Sequence, residues 1–459
     1  MIYAGINFSI QNPPTLDPDF IPAGGFVKSY LSGAKQPFAI ALERDSGYLS
    51  RFNTFIHGVP ERAEADFRYI EYILKFMLYS WGGWKACLCG DEALSKKVAN
   101  SLANDERHDF VRTIVRRAYG KELSFEIMPY EKCSDEKICS RPIGRHMNGC
   151  RIGFDAGGSD RKVSAVIDGE AVFSEEVEWT PKLIAYPEYH FNGIVDAFRA
   201  ASSKMPRVDA IGVSTAGIVV DNHVMSSTLF QKLPDDVFAE KARDIYIRAA
   251  KEVGDIPLEV QNDGDVSALA GSMSLHESRV LGIAMGTSEA AGYVDAHGNL
   301  TGWLNELALT VIDLNGNAPF DQTALDRGVG ASYFSQDSVI RLASAAGIEL
   351  DKTLQPAQKL KAVQTLMEAE DSRAKKVYAN IGCYLAHTLP LYRLFYNIKH
   401  ILLLGRVMSG KGGDIILAEC KRILAGEYPE LSREVNIWLP NENTRRVGQS
   451  VAAASLPEL

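Results

Sequence analysis

A carboxylate-rich turn follows the predicted strand 258–260 in the stretch PLEVQNDGDVSALAG. Asn262, Asp263 and Asp265 lie in this turn, and an Ala- and Leu-rich helix follows. Ligands of α/β proteins bind at strand ends, where a fixed carboxylate can accept the proton of a substrate hydroxyl. Asp265 fits the N-cap of the helix better than a catalytic role, with 266–269 as the first turn. Asp263 fits either an Asx turn or a general base, and the rest of the chain has to decide.

A second group of residues that could take part in chemistry lies in FDAGGSDRK. Asp155 ends an apolar strand, and the backbone N–H groups of Gly157 and Gly158 can face an anion in a tight turn. Ser159 adds a hydroxyl, and Lys162 lies on the returning strand. This combination suits Mg²⁺-phosphate, because an acid can hold the waters of the metal while amides hold phosphate oxygens. A hairpin that uses Gly-Gly only for its turn is the structural alternative.

Two more Gly-rich turns follow strands. Gly286 and Thr287, in AMGTSEAAGYV, form a candidate second phosphate hairpin. LLLGRVMSGKGGD nearly matches a P-loop from Gly405 to Lys411, but Gly412 stands where Ser or Thr should bind Mg²⁺. A turn that lets an adenosine or sugar ring approach the backbone is therefore favoured over a true P-loop.

The composition indicates a soluble globular protein of two or three domains: 459 residues, 46% hydrophobic and 23% charged. A net charge of -9 argues against a nucleic-acid partner. The N-terminus has no signal-peptide pattern, and no apolar run reaches the roughly 18–20 residues that span a bilayer. Seven thinly spread cysteines predict a reduced, cytoplasmic protein. Nine histidines without a pair at ligand spacing predict no zinc.

The elements before residue 150 read as mixed α/β. A hairpin is expected around residues 45–47, helices over 62–80 and 92–119, and further strands in WKACLCGD and FEIMPYEKC. The C-x-C spacing of Cys87 and Cys89 fits strand alternation better than a metal site. A polar, irregular linker is expected over 133–149.

From Cys150 onward, a strand hairpin followed by helices occurs twice. The intervening helices are expected near 191–204, over 236–253 and across 337–397. The run KHILLLG predicts a buried strand, and RRVGQSVAAASL, 445–456, predicts a short closing helix.

Taken in order, these motifs resemble the sugar kinase/actin-like ATPase superfamily, and within it the ROK group of bacterial sugar kinases and related repressors. FDAGGSDRK is similar to the family's first phosphate hairpin, GVSTAGIVVD to its G-x-G-x-P-G segment, and QNDGDVSALAG to its N-D-A-N-A-A-A-L run. GIAMGTSEAAG is similar to the second phosphate hairpin, and ILLLG to the adenosine strand. The similarity covers about residues 150–455.

The resemblance implies an α/β protein with two actin/hexokinase-like (ribonuclease H-like) lobes that enclose a cleft. The first lobe would span 150–275 and the second 276–459. Residues 1–145 would form an additional N-terminal α/β domain of unknown role. The family's habit of dimerising leaves a homodimer open.

The resemblance also implies residue roles. Asp263 would be the base that deprotonates the sugar hydroxyl, and Asn262 would bind the sugar. Glu306 would be a second sugar ligand, because GNLTGWLNELAL looks like the family's G-E-x-G-H segment. Asp155 would hold Mg²⁺ through water, and Gly405 would border the adenosine. The phosphate-binding residues would be Gly157, Gly158, Ser159, Lys162, Gly286 and Thr287.

The chain departs from the family pattern at several of these places. The family's His after the sugar-binding Glu falls near Leu309, and Val329 and Ala331 replace the Cys and Glu of its zinc loop. We therefore expect no zinc site here, and we expect the sugar to have one ligand fewer than in the family. Glu289, in the second hairpin, is expected to add negative charge near the phosphates.

The favoured function is an ATP- and Mg²⁺-dependent kinase that acts on a hydroxyl of a sugar or sugar-like small molecule. The alternative is a nucleotide-dependent regulatory or activator ATPase, or a related protein that has lost catalysis. A P-loop ATPase built on Lys411 is the third. No helix-turn-helix pattern is evident near the N-terminus, so the repressor branch is not expected.

Overall fold

The computed structural model describes residues 1–137, 143–439 and 448–459. Its α-helices, numbered α1 to α13 in chain order, are Ala23–Leu31, Ala63–Ser80, Glu92–Asn104, Asp109–Tyr119, Pro187–Ser202, Asp235–Val237, Ile245–Lys251, Asp263–Leu275, Gln336–Ala345, Pro356–Glu368, Ser372–Phe395, Lys411–Glu427 and Pro429–Glu434. A C-terminal helix, Gly448–Ala454, follows them.

The strands, β1 to β19 in chain order, are Ile2–Tyr3, Ile6–Asn7, Gln36–Glu43, Leu49–Ile56, Lys85–Cys89, Ser124–Met128, Cys150–Ala156, Asp160–Ile167, Glu170–Glu178, Ala210–Thr215, Ile218–Val220, His223–Ser226, Leu258–Asn262, Val280–Met285, Glu289–Val294, Phe320–Asp321, Asp326–Arg327, His400–Leu404 and Asn436–Trp438. The fold is therefore mixed α/β, as the sequence predicts.

The residues group into two units that do not follow chain order. Unit 1 comprises Met1–Cys139, Ile283–Ala291 and Trp303–Leu439. Unit 2 comprises Ser140–Gly282, Gly292–Gly302 and Pro440–Leu459. The role of residues 1–145 as a domain of their own stays a prediction, as do the bounds of the two lobes.

The main sheet of unit 2 has the strand order β13-β10-β7-β8-β9. The strands β7, β10 and β13 run parallel, whereas β8 and β9 form an antiparallel extension of the sheet. The carboxyl ends of three neighbouring strands therefore lie along one edge. Apolar side chains such as Ile152, Phe154 and Val213 fill the core of this unit.

The C-terminal helix of unit 2 packs directly on the strands of this sheet. A Cβ atom on Gly153 would overlap the carbonyl oxygen of Ser450, and one on Gly212 would overlap that of Ala453. Glycine at these positions of β7 and β10 lets the helix backbone approach the strands, a close packing that any larger residue would prevent.

One helix of unit 2 differs from its prediction. The expected helix 236–253 is broken into α6, a π-helical segment Phe238–Ala242 and α7. The backbone carbonyl of Arg243 accepts a 2.9 Å hydrogen bond from Val224 N–H of β12, and that of Lys241 accepts one of 2.6 Å from the Arg248 guanidinium. These acceptors bond outside the α-helical pattern, which is why a single helix does not form.

Unit 1 contains a four-stranded sheet near the N-terminus, with order β4-β3-β5-β6. The predicted hairpin around residues 45–47 is confirmed, since β3 and β4 pair antiparallel on either side of it. Cys87 and Cys89 lie on β5 and are buried, as strand alternation predicts. The predicted helices over 62–80 and 92–119 are confirmed as α2, α3 and α4.

Specific side-chain contacts hold the N-terminal residues within unit 1. The backbone N–H and Nδ2 of Asn12 donate to Glu427 Oε1 over 2.6 and 2.7 Å. Asp17 forms a 3.0 Å ion pair with Arg341. These long-range contacts explain why the N-terminal segment groups with residues far along the chain.

A second sheet has the order β15-β14-β18-β19, with β18 and β19 parallel. The predicted helical stretch 337–397 is three helices, α9 to α11. The expected linker 133–149 and the expected closing helix 445–456 lie partly outside the described residues, and the rest of the latter is helical over Gly448–Ala454. Across the described ranges, no helix is both long and apolar enough to cross a bilayer.

Candidate active site

Asp155 is the last residue but one of β7, and its side chain is buried. Ser214, its neighbour in register on β10, donates a 2.7 Å hydrogen bond from Oγ to Asp155 Oδ1. Burial raises the pKa of Asp155 to about 6, although the Ser214 hydrogen bond and the charge of Lys162 oppose the rise. Asp155 is thus a buried carboxyl group at a strand end, poised to change its charge near neutral pH.

Asn262, and not Asp265, caps the helix after β13. The helix α8 begins at Asp263, and Asn262 Oδ1 accepts a 2.7 Å hydrogen bond from Gly264 N–H. The prediction that Asp265 is the N-cap is therefore wrong. Asp265 lies within the first turn and is buried, and its Oδ1 accepts a 3.1 Å hydrogen bond from Tyr293 N–H of β15.

Asp263 stands at the first position of α8, at the same edge of the sheet as Asp155. Its Oδ1 accepts a 3.0 Å hydrogen bond from Gly264 N–H. Burial raises the pKa of Asp263, while that hydrogen bond and the charge of Lys182 lower it. The negative charge of Asp263 in turn contributes to the raised pKa of Asp155, which indicates that the two carboxyl groups face a common region. Unit 2 therefore brings together the two acids that the sequence singled out.

The first Gly-rich turn connects β7 and β8 close to Asp155. Gly157 O accepts a 2.8 Å hydrogen bond from the Trp179 indole, which fixes the turn against the end of β9. Ser159 is exposed at its tip. Lys162 lies opposite Asp155 in the β7–β8 register, but its ammonium forms a 2.9 Å ion pair with Asp160. The turn thus follows directly on Asp155, while Asp160 is the partner both of Lys162 and of the Ser159 hydroxyl, which donates a 3.1 Å hydrogen bond to it.

The second Gly-rich turn and the adenosine strand meet inside unit 1. Gly286 and Thr287 lie between β14 and β15, and Thr287 is exposed. Gly405 follows β18 with a φ of 93°, and a Cβ on it would overlap the backbone of Met285. Only glycine combines this backbone conformation with so close an approach. The loop after β18 is thereby held against the strand that leads into the Gly286 turn.

Glu289, the first residue of β15, lies in surroundings that oppose the expected negative charge. Its side chain is buried, and burial raises its pKa to about 8. Tyr392 donates a long hydrogen bond of 3.4 Å to Oε1, and Oε2 is buried without a hydrogen-bond partner among the described residues. Gly330 makes room for the carboxyl group, because a Cβ there would overlap Oε2. The raised pKa favours the neutral, protonated carboxyl group, so burial opposes the added charge that the sequence predicts.

The proposed acceptor ligands occupy different units. Asn262, in unit 2, donates a 2.8 Å hydrogen bond from Nδ2 to Gly217 O in addition to capping α8. Glu306 lies in unit 1, where its backbone N–H donates a 3.1 Å hydrogen bond to Tyr79 O and its charge adds to the raised pKa of Glu289. Their roles toward a sugar stay predictions.

The positions that depart from the family's histidine and zinc loop are apolar. Leu309 and Val329 are buried, and Ala331 lies in the short 3₁₀-helix Gly330–Ser332. Among the described residues, no group of three or more His, Cys, Asp or Glu is placed to hold a metal ion. The absence of zinc itself stays a prediction.

The lysine of the P-loop-like segment, Lys411, forms an ion pair within the protein. Lys411 is the first residue of α12, and its Nζ forms a 2.8 Å ion pair with Glu370. Gly412 packs on the ring of Tyr378, where a Cβ would approach to 2.5 Å. Both residues thus have structural roles, which disfavours the P-loop alternative.

Some residues near Asp155 and Asp263 were not predicted from the sequence. Gln449 Nε2, from the C-terminal helix, donates to Ser214 Oγ over 3.0 Å and to Asp263 O over 3.3 Å. Ser214 could have been found from its place in GVSTAG, but Gln449 and Lys182 belong to no motif. Their proximity to the two acids is visible only in the folded chain.

No family model matches the sequence, and no curated protein does. Solved structures match by fold. A ROK hexokinase from Thermus thermophilus is 19% identical, with a TM-score of 0.51 over 67% of this chain and 97% of that chain. A ROK glucokinase from Streptomyces griseus, in complex with glucose and AMPPNP, is 18% identical, with a TM-score of 0.50 over 67% and 99%. A ROK transcriptional regulator, a homologue of the E. coli MLC protein, is 13% identical, with a TM-score of 0.53 over 68% and 79%.

Sequence identities below 20% show a shared fold and no particular activity. Two kinases and a transcriptional regulator match this chain equally well. The predicted resemblance is confirmed at that level. Over about two thirds of its length, the chain has the α/β fold of ROK-family proteins.

Proposed function

We propose that the chain is an ATP-dependent phosphotransferase of the ROK sugar-kinase type, acting on a hydroxyl of a sugar or sugar-like small molecule. The observation that carries the proposal is the placement of Asp155 and Asp263. Both stand at the carboxyl edge of the β13-β10-β7 sheet, beside a Gly-rich turn. This edge is where open α/β sheets bind their ligands.

Asp263 is the proposed general base. Its carboxylate takes the proton of the acceptor hydroxyl as that oxygen forms a bond to the γ-phosphorus, and ADP leaves with the electrons of the broken P–O bond. Burial raises the pKa of Asp263. A base whose pKa lies closer to the working pH takes up a proton more readily in the transition state.

Asp155 is the proposed magnesium residue. Its carboxyl group is buried, and Ser214 holds Oδ1, so an oriented hard oxygen is available to the water shell that Mg²⁺ usually keeps. Magnesium, when bound with the nucleotide, supplies charge neutralisation at the phosphate oxygens. Deprotonated Asp155 is required for that role.

The Gly-rich turns are the proposed phosphate sites. Gly157, Gly158 and Ser159 lie in the turn that follows Asp155, and Gly286 and Thr287 lie in the second Gly-rich turn, in unit 1. Gly405, whose backbone lies against that of Met285, is the proposed border of the adenosine. Asn262 and Glu306 are the proposed ligands of the acceptor.

A nucleotide-dependent regulatory ATPase, or a protein without catalysis, is the second candidate. Buried apolar Leu309 and Val329 favour it, because they stand where the family's histidine and a cysteine of its zinc loop are expected. Apolar side chains can neither bind zinc nor form a hydrogen bond to a polar acceptor.

The two candidates separate in one assay. Wild-type protein with ATP and Mg²⁺ is incubated with a panel of hexoses, amino sugars, N-acyl sugars and polyols, and products are identified by mass spectrometry. A kinase forms a phosphorylated acceptor, and its ADP release depends on that acceptor. ATP hydrolysis that is equal with and without every acceptor supports the regulatory ATPase. No turnover at all contradicts the kinase and the ATPase and supports the protein without catalysis.

A further inference from the structure

The segment Pro181–Leu183 is fixed against the first Gly-rich turn of unit 2. The indole of Trp179, two residues earlier, donates to Gly157 O, and Trp179 N–H donates a 3.1 Å hydrogen bond to Ser159 O. On the other side, Gln231 Nε2 donates to the carbonyl oxygen of Lys182 over 3.2 Å. The backbone of Lys182 is therefore held by contacts on both sides.

The side chain of Lys182 reaches over this turn. A Cβ atom on Gly158 would lie 2.9 Å from Lys182 Nζ and 2.7 Å from its Cε. Because Gly158 has no side chain, the ammonium can approach the backbone of the turn. It adds a positive charge beside this Gly-rich turn.

The charge of Lys182 also acts on Asp263, whose pKa it lowers. Yet the two groups form no ion pair, and within the described chain no carboxylate pairs with the Lys182 ammonium. Lys162 differs, since Asp160 neutralises it at 2.9 Å. Lys182 is thus a half-buried cation between a Gly-rich turn and the proposed base, with its charge not neutralised by a bonded partner.

We propose that Lys182 binds the terminal phosphate oxygens of the nucleotide and neutralises the charge that develops there during transfer. This inference rests on the proposed phosphotransfer and adds a residue to it. The acceptor oxygen bonds to the γ-phosphorus, its proton passes to Asp263, and the bond to the departing ADP breaks. Lys182 keeps its proton throughout and acts only through its charge and its hydrogen bonds. A phosphate group is the ligand that could use both the Gly-rich turn and the positive charge of Lys182.

The decisive variant is Lys182→Met, which keeps the length of the side chain and removes the charge. We expect kcat to fall about 10²–10³-fold, the range found when a single donor to a developing oxyanion is removed, with a smaller change in the KM of the acceptor. The acidic limb of the pH profile should move to higher pH, because Asp263 loses a cation that lowers its pKa. Lys182→Arg should recover part of the rate. Lys251→Met, at the exposed end of α7 in the same unit, is the matched control and should behave as wild type.

Binding of Mg-ATP and of inorganic pyrophosphate, measured by calorimetry, separates the failure of this inference from that of the proposed function. If wild type transfers phosphate but Lys182→Met keeps the rate, the pH profile and both affinities, the role of Lys182 is wrong and the kinase stands. If wild type transfers nothing but binds either ligand, a weaker affinity in Lys182→Met alone supports the phosphate site without the kinase, and an equal affinity overturns it. Wild-type protein that binds neither ligand overturns both.

Discussion

Asp265 Oδ1 accepts a 3.1 Å hydrogen bond from the backbone N–H of Tyr293. Asp265 is one of two acids in the first turn of α8, and this bond ties the helix to β15 within unit 2. Asp263, two residues earlier, accepts a hydrogen bond from the adjacent Gly264 N–H. The two acids therefore have different surroundings, because Asp265 bonds to a strand and Asp263 bonds within its own turn.

Asp263→Asn should lower kcat by about 10²–10⁴, the usual contribution of general-base catalysis. The amide keeps an oxygen that can accept from Gly264 N–H, so the melting temperature and the affinity for ATP should stay near wild type. Steady-state kinetics, calorimetry and thermal unfolding measure the three quantities. A variant that melts earlier but turns over normally once folded would make Asp263 a structural residue.

Asp265→Asn should show the opposite pattern. Asp265 is buried and bonded to Tyr293, and an amide in place of one carboxylate oxygen puts a donor where an acceptor was. The free energy of unfolding should fall by about 1–3 kcal/mol, with kcat of the folded protein close to wild type. Denaturant unfolding and kinetics on the same preparation check both. Unchanged stability would show that the amide oxygen keeps the bond to Tyr293 N–H and that the new donor is accommodated without cost.

Nucleotide binding that depends on magnesium should weaken as the pH falls through about 6. Asp155 has its pKa raised to about 6, and its protonated form cannot serve the metal. Ser214→Ala removes a hydrogen bond that lowers this pKa, so the loss should begin at higher pH in that variant. Phosphate groups also take up protons near pH 6, so the comparison of the two profiles, measured by calorimetry, is decisive. Superimposable profiles would contradict the role of Asp155.

Glu289→Gln should stabilise the protein at alkaline pH and have little effect below about pH 4.5. The folded state holds the Glu289 proton up to a pKa of about 8, against an ordinary 4.5. As the pH rises through this window the unfolded chain loses the proton first, so wild-type stability falls progressively until about pH 8. Each pKa unit corresponds to about 1.4 kcal/mol, so the gain in the variant should reach a few kcal/mol above pH 8. Denaturant midpoints at pH 5 and pH 9 test the sign.

Gly405→Ala should destabilise unit 1, while Gly426→Ala should not. Gly405 has a φ of 93° and its Cβ would overlap the backbone of Met285, so a loss of at least about 2 kcal/mol is expected from strain and displacement. Gly426 lies in α12 with open space around it, and alanine there should add up to about 1 kcal/mol. Thermal unfolding of both variants gives the contrast, and equal melting temperatures would contradict the close approach.

The order of the motifs and the elements that hold them could be predicted from local features of the chain. Alternating apolar runs and Gly-rich turns predicted the hairpin β7–β8 and the strand β13, because these signals act over a few residues of the chain. They also placed Asp155 and Asp263 at strand ends, and the structure puts both at one edge of the unit 2 sheet. The resemblance to ROK proteins rested on the same local patterns, and the fold confirms it.

The role of each neighbouring polar group, in contrast, depends on contacts between distant parts of the folded chain. Asn262 and Asp265 are equally good caps by residue type, and in the folded chain Asn262 caps α8 while Asp265 accepts from Tyr293 N–H of β15. The protonation of Glu289 depends on burial beside Tyr392 and Gly330, which no local pattern encodes. Lys182 meets Gly158 because the sheet and the Trp179 hydrogen bond bring separate segments together. Capping, charge state and proximity are set by long-range packing, so they follow from the folded chain and not from the spacing of its residues.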